Sequence, residues 1–312
     1  MKRLNENNTH RNLHDERRKE VFEKLKEDSQ LPSPSATVME VLRLCNSEES
    51  SLNDIADLIQ TDPALSAEII KYANSAFLAT GVQVASIQKA TVKLGMNTVV
   101  TLALGFSLLA DNRRGSCKNF DYPLFWRTSL AEALAARELS RRGGDSDPNE
   151  IFICGLLAHI GSLALATLFP QEYARILENQ PANTPPRSLE QSTFGIDSGE
   201  FTTELFLDWG LPAQYALAAG FHEDLDCIEL GSGATKQASI YLLLAHVIAL
   251  MCQSREARPE MLQTVIATAR HYDVDIGNFG DTFHTIVECW HNYGRLFDIN
   301  TTECYDYSEE EG

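Results

Sequence analysis

At 312 residues, of which 44% are hydrophobic, the chain is long enough to bury a core without disulfide bonds. Its 44 acidic and 26 basic residues give a net charge of −18, and such a body repels phosphate backbones and anionic lipid surfaces. The charge excludes nucleic-acid and membrane-surface binding as expected functions.

The cysteines and the N-terminus indicate the compartment. Seven cysteines are an odd number, they are widely scattered, and no Cys-x-x-Cys pair occurs, so we expect reduced side chains. The first 20 residues lack the apolar run of a secretory signal. The sequence therefore predicts a cytoplasmic protein.

Residues 1–30 form a charged N-terminal extension. Residues 10–28 can form a helix with a narrow apolar stripe, made of Leu13, Val21, Phe22 and Leu25. We expect this stripe to dock on the body of the protein or on another chain, which makes self-association an open possibility. Pro32 and Pro34 then end the helix.

Residues 31–115 are expected to form an N-terminal lobe of about five short helices. Ser51 with Asp54 reads as a capping box, and Asp62 before a proline is a second start signal. Ser86 opens the fourth helix, and the fifth starts near Asn97 and is almost wholly apolar. No alternating β pattern occurs.

A nearly apolar segment at about 150–169 stands at the centre of the second lobe, which spans 116–300. Such a run is either a membrane span or a helix buried on all sides. Two glycines, the central His159, the absence of a basic flank and of a second similar segment favour a buried core helix. We expect Asn149 to cap it and Pro170 to end it.

The remaining patterns complete an all-α fold. A loop is predicted at 178–188, where turn formers cluster, and a disordered acidic tail at 301–312. Further helices are predicted at about 123–142, 198–208, 212–222, 236–253, 259–271 and 278–297.

Several long segments carry a family resemblance. They read LPSPSATVMEVLRLCN, SLNDIADLIQTDPALSAEIIKYANSAF, VASIQKATVKLGMNTVVTLAL, FWRTSLAEALAARELS, IFICGLLAHIGSLAL and FGIDSGEFTTELFLDWGLPAQYALAAGFHED. In order and spacing they resemble HDOD domains over about residues 31–255. The resemblance implies a helical bundle joined to a lobe like that of HD metal phosphohydrolases. It also implies a bacterial signalling output or scaffolding module without demonstrated hydrolase activity.

The resemblance also locates the positions where HD hydrolases carry metal ligands. The adjacent His-Asp pair would fall on Ala158 and His159, and the first His on Thr128. A further His would fall on Ser198, and the late acidic residue on His246. Methyl groups cannot bind a metal and hydroxyl groups bind it poorly. We therefore expect no enzyme activity, no metal and no cofactor.

The imidazoles leave one alternative open. His159, His222 and His246 could gather in the old cleft as a zinc site of three imidazoles, although core histidines satisfied by local hydrogen bonds are commoner. Arg127, His159 and His222 are candidate contacts for a ligand in that cleft. Arg127 is the cation that the sequence places nearest to it.

A second possible metal site has a simpler interpretation, and a common nucleophile motif does not occur. His284, Glu288 and His291 share one helix face, which we interpret as a solvated polar face. A Gly-x-Ser-x-Gly nucleophile elbow is absent from the sequence.

The sequence and the resemblance together predict a non-catalytic signal-transduction adaptor that acts by protein binding. Its expected partners are bacterial signalling proteins, such as a sensor kinase, a response regulator or a cyclic-di-GMP enzyme. One alternative is a metal-dependent phosphohydrolase or phosphodiesterase with a remnant HD site. Another is a sensor of a small ligand, with a nucleotide in the degenerate cleft.

Overall fold

A computed structural model of the chain describes residues 21, 32–45, 51–74, 83–181 and 186–308. The regular secondary structure within these ranges is helical throughout, so the all-α prediction is confirmed. The predicted helix at 10–28 lies outside the described residues except for Val21, which is helical and fully buried.

The N-terminal lobe consists of five helices over its described part. They are α1 (Ala36–Cys45), α2 (Leu52–Ile59), α3 (Pro63–Ala73), α4 (Ile87–Leu94) and α5 (Met96–Asn112). Their predicted start signals are confirmed: Ser51 and Asp54 form a capping box, and the side chains of Asp62 and Ser86 accept the backbone N–H groups of the first turn. Gly95 ends α4 with φ +80, in the left-handed range that favours glycine.

The second lobe carries the longest helices. They are α6 (Tyr122–Gly143), α7 (Pro148–Leu157), α8 (Ile160–Leu168), α9 (Pro170–Asn179), α10 (Arg187–Phe194), α11 (Ser198–Asp208), α12 (Ala213–Phe221), α13 (Leu225–Leu230), α14 (Gly233–Cys252), α15 (Pro259–His271) and α16 (Phe279–Phe297). The six further helices match their predicted ranges within about three residues. The sequence patterns missed α9, α10 and α13. Pro170 ends one helix but is also the first residue of α9, where its missing N–H costs nothing.

Helix α6 lies at the centre of the second lobe, against α7, α14 and α16. Gly155 allows α7 to approach α6 closely, because a Cβ atom there would lie 2.8 Å from Ala133 Cα. Helix α5 packs on α7 and joins the two lobes through apolar side chains. The core is therefore continuous from one lobe to the other.

A cluster of polar and aromatic groups also joins the lobes, and we call it the Arg137 cluster. The Arg137 guanidinium donates to Tyr293 Oη at 2.7 Å, and Tyr293 shares a hydrogen bond with the hydroxyl of Tyr72 on α3. The guanidinium carbon lies 5.0 Å from the ring centre of Tyr293 and 5.4 Å from that of Phe152. The cluster connects α3, α6, α7 and α16.

The central segment is two helices, whereas the sequence predicted one. Helix α7 ends at Leu157, Ala158 and His159 form a turn, and α8 begins at Ile160. Thr202 on α11 explains the break, because its Oγ1 accepts the N–H of Gly161 at 3.0 Å in place of a helical carbonyl. The cap at the start of α7 is the side chain of Asp147, so the prediction of Asn149 is wrong.

Two helical stretches are long and apolar enough to cross a membrane, Pro148–Leu168 and Gly233–Cys252. Helix α4 and residues 98–112 meet at a bend, and the two together would form a third such stretch. The expectation that no second segment resembles the central one is therefore wrong. In the most apolar windows of these two stretches, 72% and 61% of the residues are buried inside the protein. Neighbouring helices thus cover most of this apolar surface.

The C-terminal segment is packed over its described part, which corrects the prediction of a disordered tail from residue 301. Tyr307 is 1% exposed, and its ring contacts those of Phe279 and Phe283. Its hydroxyl accepts the N–H of Arg258 at 2.8 Å. The prediction was based on the acidic composition of the tail. The segment is packed because the free energy gained by burying aromatic rings outweighs the effect of the neighbouring charges. Residues 309–312 lie outside the described ranges.

Candidate functional site

Four polar side chains from different parts of the second lobe converge at one point. Glu132 comes from α6, His159 from the turn between α7 and α8, His222 from the end of α12, and His246 from α14. One nitrogen or oxygen atom of each lies within 4.8 Å of those of the other three. We call this group the Glu132 cluster. It gathers the three imidazoles that the sequence singled out.

Close backbone contacts hold the helices that carry the cluster. A Cβ atom at Gly161 would lie 2.0 Å from Ser198 O, so α8 meets the backbone of α11 directly. A Cβ atom at Gly220 would lie 2.6 Å from Gly199 O, which brings α12 equally close to α11. The turn at His159 and the end of α12 at His222 are thus placed by glycine contacts.

Three of the four side chains, those of Glu132, His159 and His246, lie within hydrogen-bonding range of one another. His159 Nε2 lies 3.0 Å from Glu132 Oε2 and 3.2 Å from His246 Nδ1, and the same His246 nitrogen lies 3.2 Å from Glu132 Oε2. His222 Nε2 lies 3.5 Å from the other carboxylate oxygen, Oε1. The side chains of Glu132 and His222 are fully buried, whereas those of His159 and His246 are each 22% exposed. The cluster therefore has a buried floor and a mouth open to solvent.

Burial and neighbouring charges have opposite effects on the pKa values of Glu132, His159 and His222. Burial alone would lower the pKa of His159, but the charge and hydrogen bond of Glu132 raise it to about 9. Burial would raise the pKa of Glu132, but His159 and His246 outweigh that effect and hold it well below its usual range. Burial lowers the pKa of His222 to about 4, so this imidazole is neutral at pH 7.

A second layer of charge surrounds the cluster. Glu223 Oε1 lies 3.4 Å from His246 Nε2, and Arg187 donates to Glu223 Oε2 at 2.9 Å. Arg187 also donates to Gly220 O at 3.1 Å. Burial would raise the pKa of Glu223, but the nearby imidazoles and Arg187 lower it to about 2. The outer carboxylate is therefore ionised.

The other predicted site residues lie around the cluster and not in it. Ala158 is buried in the turn before His159 and offers only a methyl group. Ser198 is buried at the start of α11, where its backbone N–H donates to Glu190 Oε2 at 2.8 Å. Thr128 is half-buried on α6, one turn before Glu132.

Arg127 does not reach the cleft, so its prediction as a ligand contact is wrong. Its Nε donates to Gln253 Oε1 at 2.7 Å, and its carbonyl accepts the indole N–H of Trp290. Arg127 and Glu132 are five positions apart, so their side chains differ in direction by about 140° around the helix. The cation beside the cleft is Arg187, which lies at the start of α10, a helix that the sequence patterns missed.

Glu132 and Glu223 are the other functional candidates that sequence reasoning missed. Glu132 is an acid within the apolar stretch SLAEALAA of α6, and an acid on a buried helix face signals a buried partner. Glu223 directly follows His222. Three imidazoles and a carboxylate form a donor set that suits divalent transition metal ions, so the residues of the cluster could hold one.

Glu190, beside Ser198, supports a prediction on pH dependence. Burial raises its pKa and the charge of Asp197 adds to this, while hydrogen bonds from Ser198 and Tyr173 oppose it. A carboxyl whose folded-state pKa is raised stabilises the fold below its unfolded-state pKa and loses that contribution as pH rises through the folded-state pKa. Glu190→Gln removes the titration. We therefore expect this variant to gain stability relative to the wild type as pH rises above the unfolded-state pKa of about 4.

Urea unfolding of both proteins at several pH values measures this gain. Glu178→Gln, at an exposed position of α9, is the matched control and should show no such trend. A stability difference between Glu190→Gln and the wild type that stays constant with pH would contradict the assignment.

Comparison with known proteins gives a family and a fold. The HDOD domain family matches residues 31–225. A structure from Shewanella amazonensis SB2B, of a protein named as a candidate phosphohydrolase, is 24% identical with a TM-score of 0.70, over 89% of this chain and 96% of that one. An HDOD domain protein of unknown function from Geobacter sulfurreducens is 17% identical with a TM-score of 0.65, over 91% and 97%. At these identities the likeness shows the fold alone.

Two further proteins are similar to this chain. A protein from Marinobacter aquaeolei VT8, named as a candidate signal transduction protein, is 19% identical with a TM-score of 0.61, over 91% of this chain and 64% of that one. An uncharacterized protein from Treponema pallidum (strain Nichols) is 24% identical over 209 residues, or 66% of this chain. The chain spans 39% of the length of that relative.

Proposed function

Because this chain belongs to the HDOD domain family, a degenerate HD-related group of signalling output domains, we propose that it is non-catalytic and acts by binding other proteins. The observation that carries the proposal is the loss of ligands at the HD positions. By the family resemblance, Ala158, Thr128 and Ser198 occupy positions where a histidine is expected, and the helices around them are packed and complete. A fold that is retained although its catalytic ligands are lost is suited to binding other proteins.

The proposed partners are signalling proteins of the same bacterium: a sensor kinase, a response regulator or a cyclic-di-GMP enzyme. The fold offers a groove between the lobes for such a partner. Helices α3, α5 and α16 line it, and its volume is about 870 Å³. Acidic and basic side chains alternate around it, among them Glu68, Lys71, Asp111 and Arg295. A mixed rim of this kind suits a charged protein surface better than a small apolar ligand.

Lys71 allows a test of the groove without disturbing the fold. Its side chain is 60% exposed and pairs only with the exposed Glu68, at 3.3 Å, among the described residues. Lys71→Glu should weaken binding of a partner seated in the groove about tenfold or more, because a repulsive charge replaces an attractive one. Binding of purified sensor kinases, response regulators and cyclic-di-GMP enzymes to the immobilised full chain measures the effect.

Lys118→Glu is the matched control, because it makes the same charge change at an exposed position away from the groove. It should bind the partner as the wild type does, and both variants should keep the wild-type melting temperature. Equal weakening by the two variants would place the partner elsewhere. Failure of the wild type to bind any of the three classes would count against the adaptor role.

The second candidate function is that of a metal-dependent phosphohydrolase or phosphodiesterase with a remnant site. The Glu132 cluster favours it, because its donor set can hold a metal ion. Assays of the metal-supplemented chain on phosphomonoesters and phosphodiesters decide between the two. Turnover that is lost in His159→Ala would support the enzyme and overturn the adaptor proposal.

The third candidate, a nucleotide sensor, has less support. A nucleotide phosphate would need a free cation in the cleft, and the guanidinium of Arg187 is already paired with Glu223 and Gly220 O. Calorimetric titration with nucleotides at the same protein concentration tests it.

A further inference from the structure

We propose that Glu132, His159, His222 and His246 form a four-coordinate binding site for one divalent transition metal ion, with zinc as the preferred ion. The contacts assign the ligand atoms as a carboxylate oxygen of Glu132, Nε2 of His159 and of His222, and Nδ1 of His246. This inference goes beyond the adaptor role, because protein binding neither requires nor predicts a metal.

Two buried lone pairs face each other in the cluster. His222 Nδ1 lies 2.8 Å from Ala219 O, and only a ring N–H can donate to a carbonyl. In the neutral ring, Nε2 therefore carries a lone pair, and this atom faces Glu132 Oε1 at 3.5 Å. Both atoms are buried, and neither has a hydrogen-bond partner within the part of the chain that the structure describes. Two buried acceptors that face each other are unfavourable unless a cation lies between them.

The distances between the ligand atoms are close to those around a tetrahedral zinc ion. Zinc bonds of about 2.0–2.2 Å in a tetrahedral arrangement place neighbouring ligand atoms about 3.3–3.5 Å apart. The distances from Glu132 Oε2 to His159 and to His246 are 3.0 and 3.2 Å, and the two imidazole nitrogens lie 3.2 Å apart. The contact between Glu132 Oε1 and His222 is 3.5 Å. Small shifts would turn Glu132 Oε2, His159 Nε2 and His246 Nδ1 into three corners of a zinc tetrahedron. His222, whose ligand atom lies within 4.8 Å of those of the other three residues, would supply the fourth.

Groups behind the ligands orient two of the imidazoles. Imidazoles that bind metal usually hold their other nitrogen against a carbonyl or a carboxylate, which fixes the ring and its tautomer. His222 has Ala219 O in this position, and His246 has Glu223 Oε1 at 3.4 Å. Arg187 in turn fixes Glu223. Two of the three imidazoles are therefore oriented as in a built metal site.

The site differs from that of an HD hydrolase in a way that limits its chemistry. Glu132 lies one turn after Thr128, the position of the first HD ligand, and Ala158 removes the histidine of the dyad. Four protein ligands complete a tetrahedral shell, whereas a catalytic zinc keeps an open position for water or substrate. The bound ion is therefore structural, and it ties α6, α12 and α14 to the turn after α7.

The test is zinc binding by the full chain, stripped with chelator and then titrated against a chromophoric competitor, with metal content read by elemental mass spectrometry. We expect one zinc per wild-type chain, and a melting temperature that rises with zinc concentration. Glu132→Gln and His246→Ala should each lower the affinity about 100-fold or more, beyond the 10–100-fold typical of an outer-layer partner. His271→Ala, at an exposed histidine, is the matched control and should bind as the wild type does.

Cobalt substitution tests the closed geometry separately. Tetrahedral Co²⁺ absorbs visible light strongly, so the wild type should show intense bands that Glu132→Gln weakens. Folding of each variant is checked by circular dichroism, and His246→Ala at the partly exposed mouth serves if Glu132→Gln does not fold. The proposal would be overturned if the wild-type chain bound no zinc at a zinc concentration that saturates the competitor. Weak, six-coordinate cobalt spectra would overturn its closed form.

Discussion

Replacement of Gly161 by alanine is expected to destabilise the protein by about 3 kcal/mol or more. The added Cβ atom would lie 2.0 Å from Ser198 O and 2.8 Å from Thr202 N. Both of these are backbone atoms of α11, so the contact cannot be relieved by rotating a side chain. Helices α8 and α11 would have to separate, and the hydrogen bond from Gly161 N–H to Thr202 Oγ1 would be lost with them.

Urea unfolding followed by circular dichroism measures this loss. Gly105→Ala on α5 is the matched control, because its Cβ atom would meet only side-chain atoms, the nearest at 3.3 Å. The control should stay within about 1 kcal/mol of the wild type, since alanine also favours the helix. A Gly161→Ala variant as stable as this control would show that the contact between α8 and α11 is not essential.

Replacement of Arg137 by alanine is expected to lower the free energy of unfolding by about 3 kcal/mol, because the Arg137 cluster joins the two lobes. The variant loses the cation–π contacts with two aromatic rings and leaves a cavity where the aliphatic stem was packed. It also removes the donor to Tyr293 Oη. The loss should weaken the contact of α3 with α16, because the hydroxyl groups of Tyr72 and Tyr293 meet there.

Two further variants separate the contributions at this joint. Tyr293→Phe keeps the ring and removes the hydroxyl, so it should cost only about 1 kcal/mol. Arg141→Ala removes an arginine that is 62% exposed, paired with Glu138, and should cost about 0.5 kcal/mol or less. If Arg137→Ala were as mild as Arg141→Ala in urea unfolding, the cluster would not hold the lobes together.

Local signals predicted the helices well where capping chemistry was explicit. Ser51, Asp62 and Ser86 accept the N–H groups that their patterns predict, and Gly144 ends α6 with φ +72. The break at Ala158 and His159 could not be predicted, because its cause is Thr202, a residue more than forty positions away. The packing of Tyr307 likewise depends on partners remote in the chain.

The candidate site was predicted only in part, for the same reason. The histidines stand out in apolar helices, and their possible convergence on one cleft follows from the family resemblance. The sequence did not single out Glu132, because the family resemblance places the first HD ligand one turn earlier on this helix, at Thr128. Arg127 was misplaced because its direction depends on the rotation of α6, which the apolar pattern of a helix buried on several sides leaves undetermined.

The Glu132 cluster joins residues that are far apart in sequence, since Glu132 and His246 are 114 positions apart. Closing so long a loop removes much of the freedom of the unfolded chain. An ion at this point would act as a reversible crosslink, and its release would have to precede the separation of α6 from α14. Zinc supply would then set the lifetime of the folded state, and an ion-free chain would be a shorter-lived signalling component.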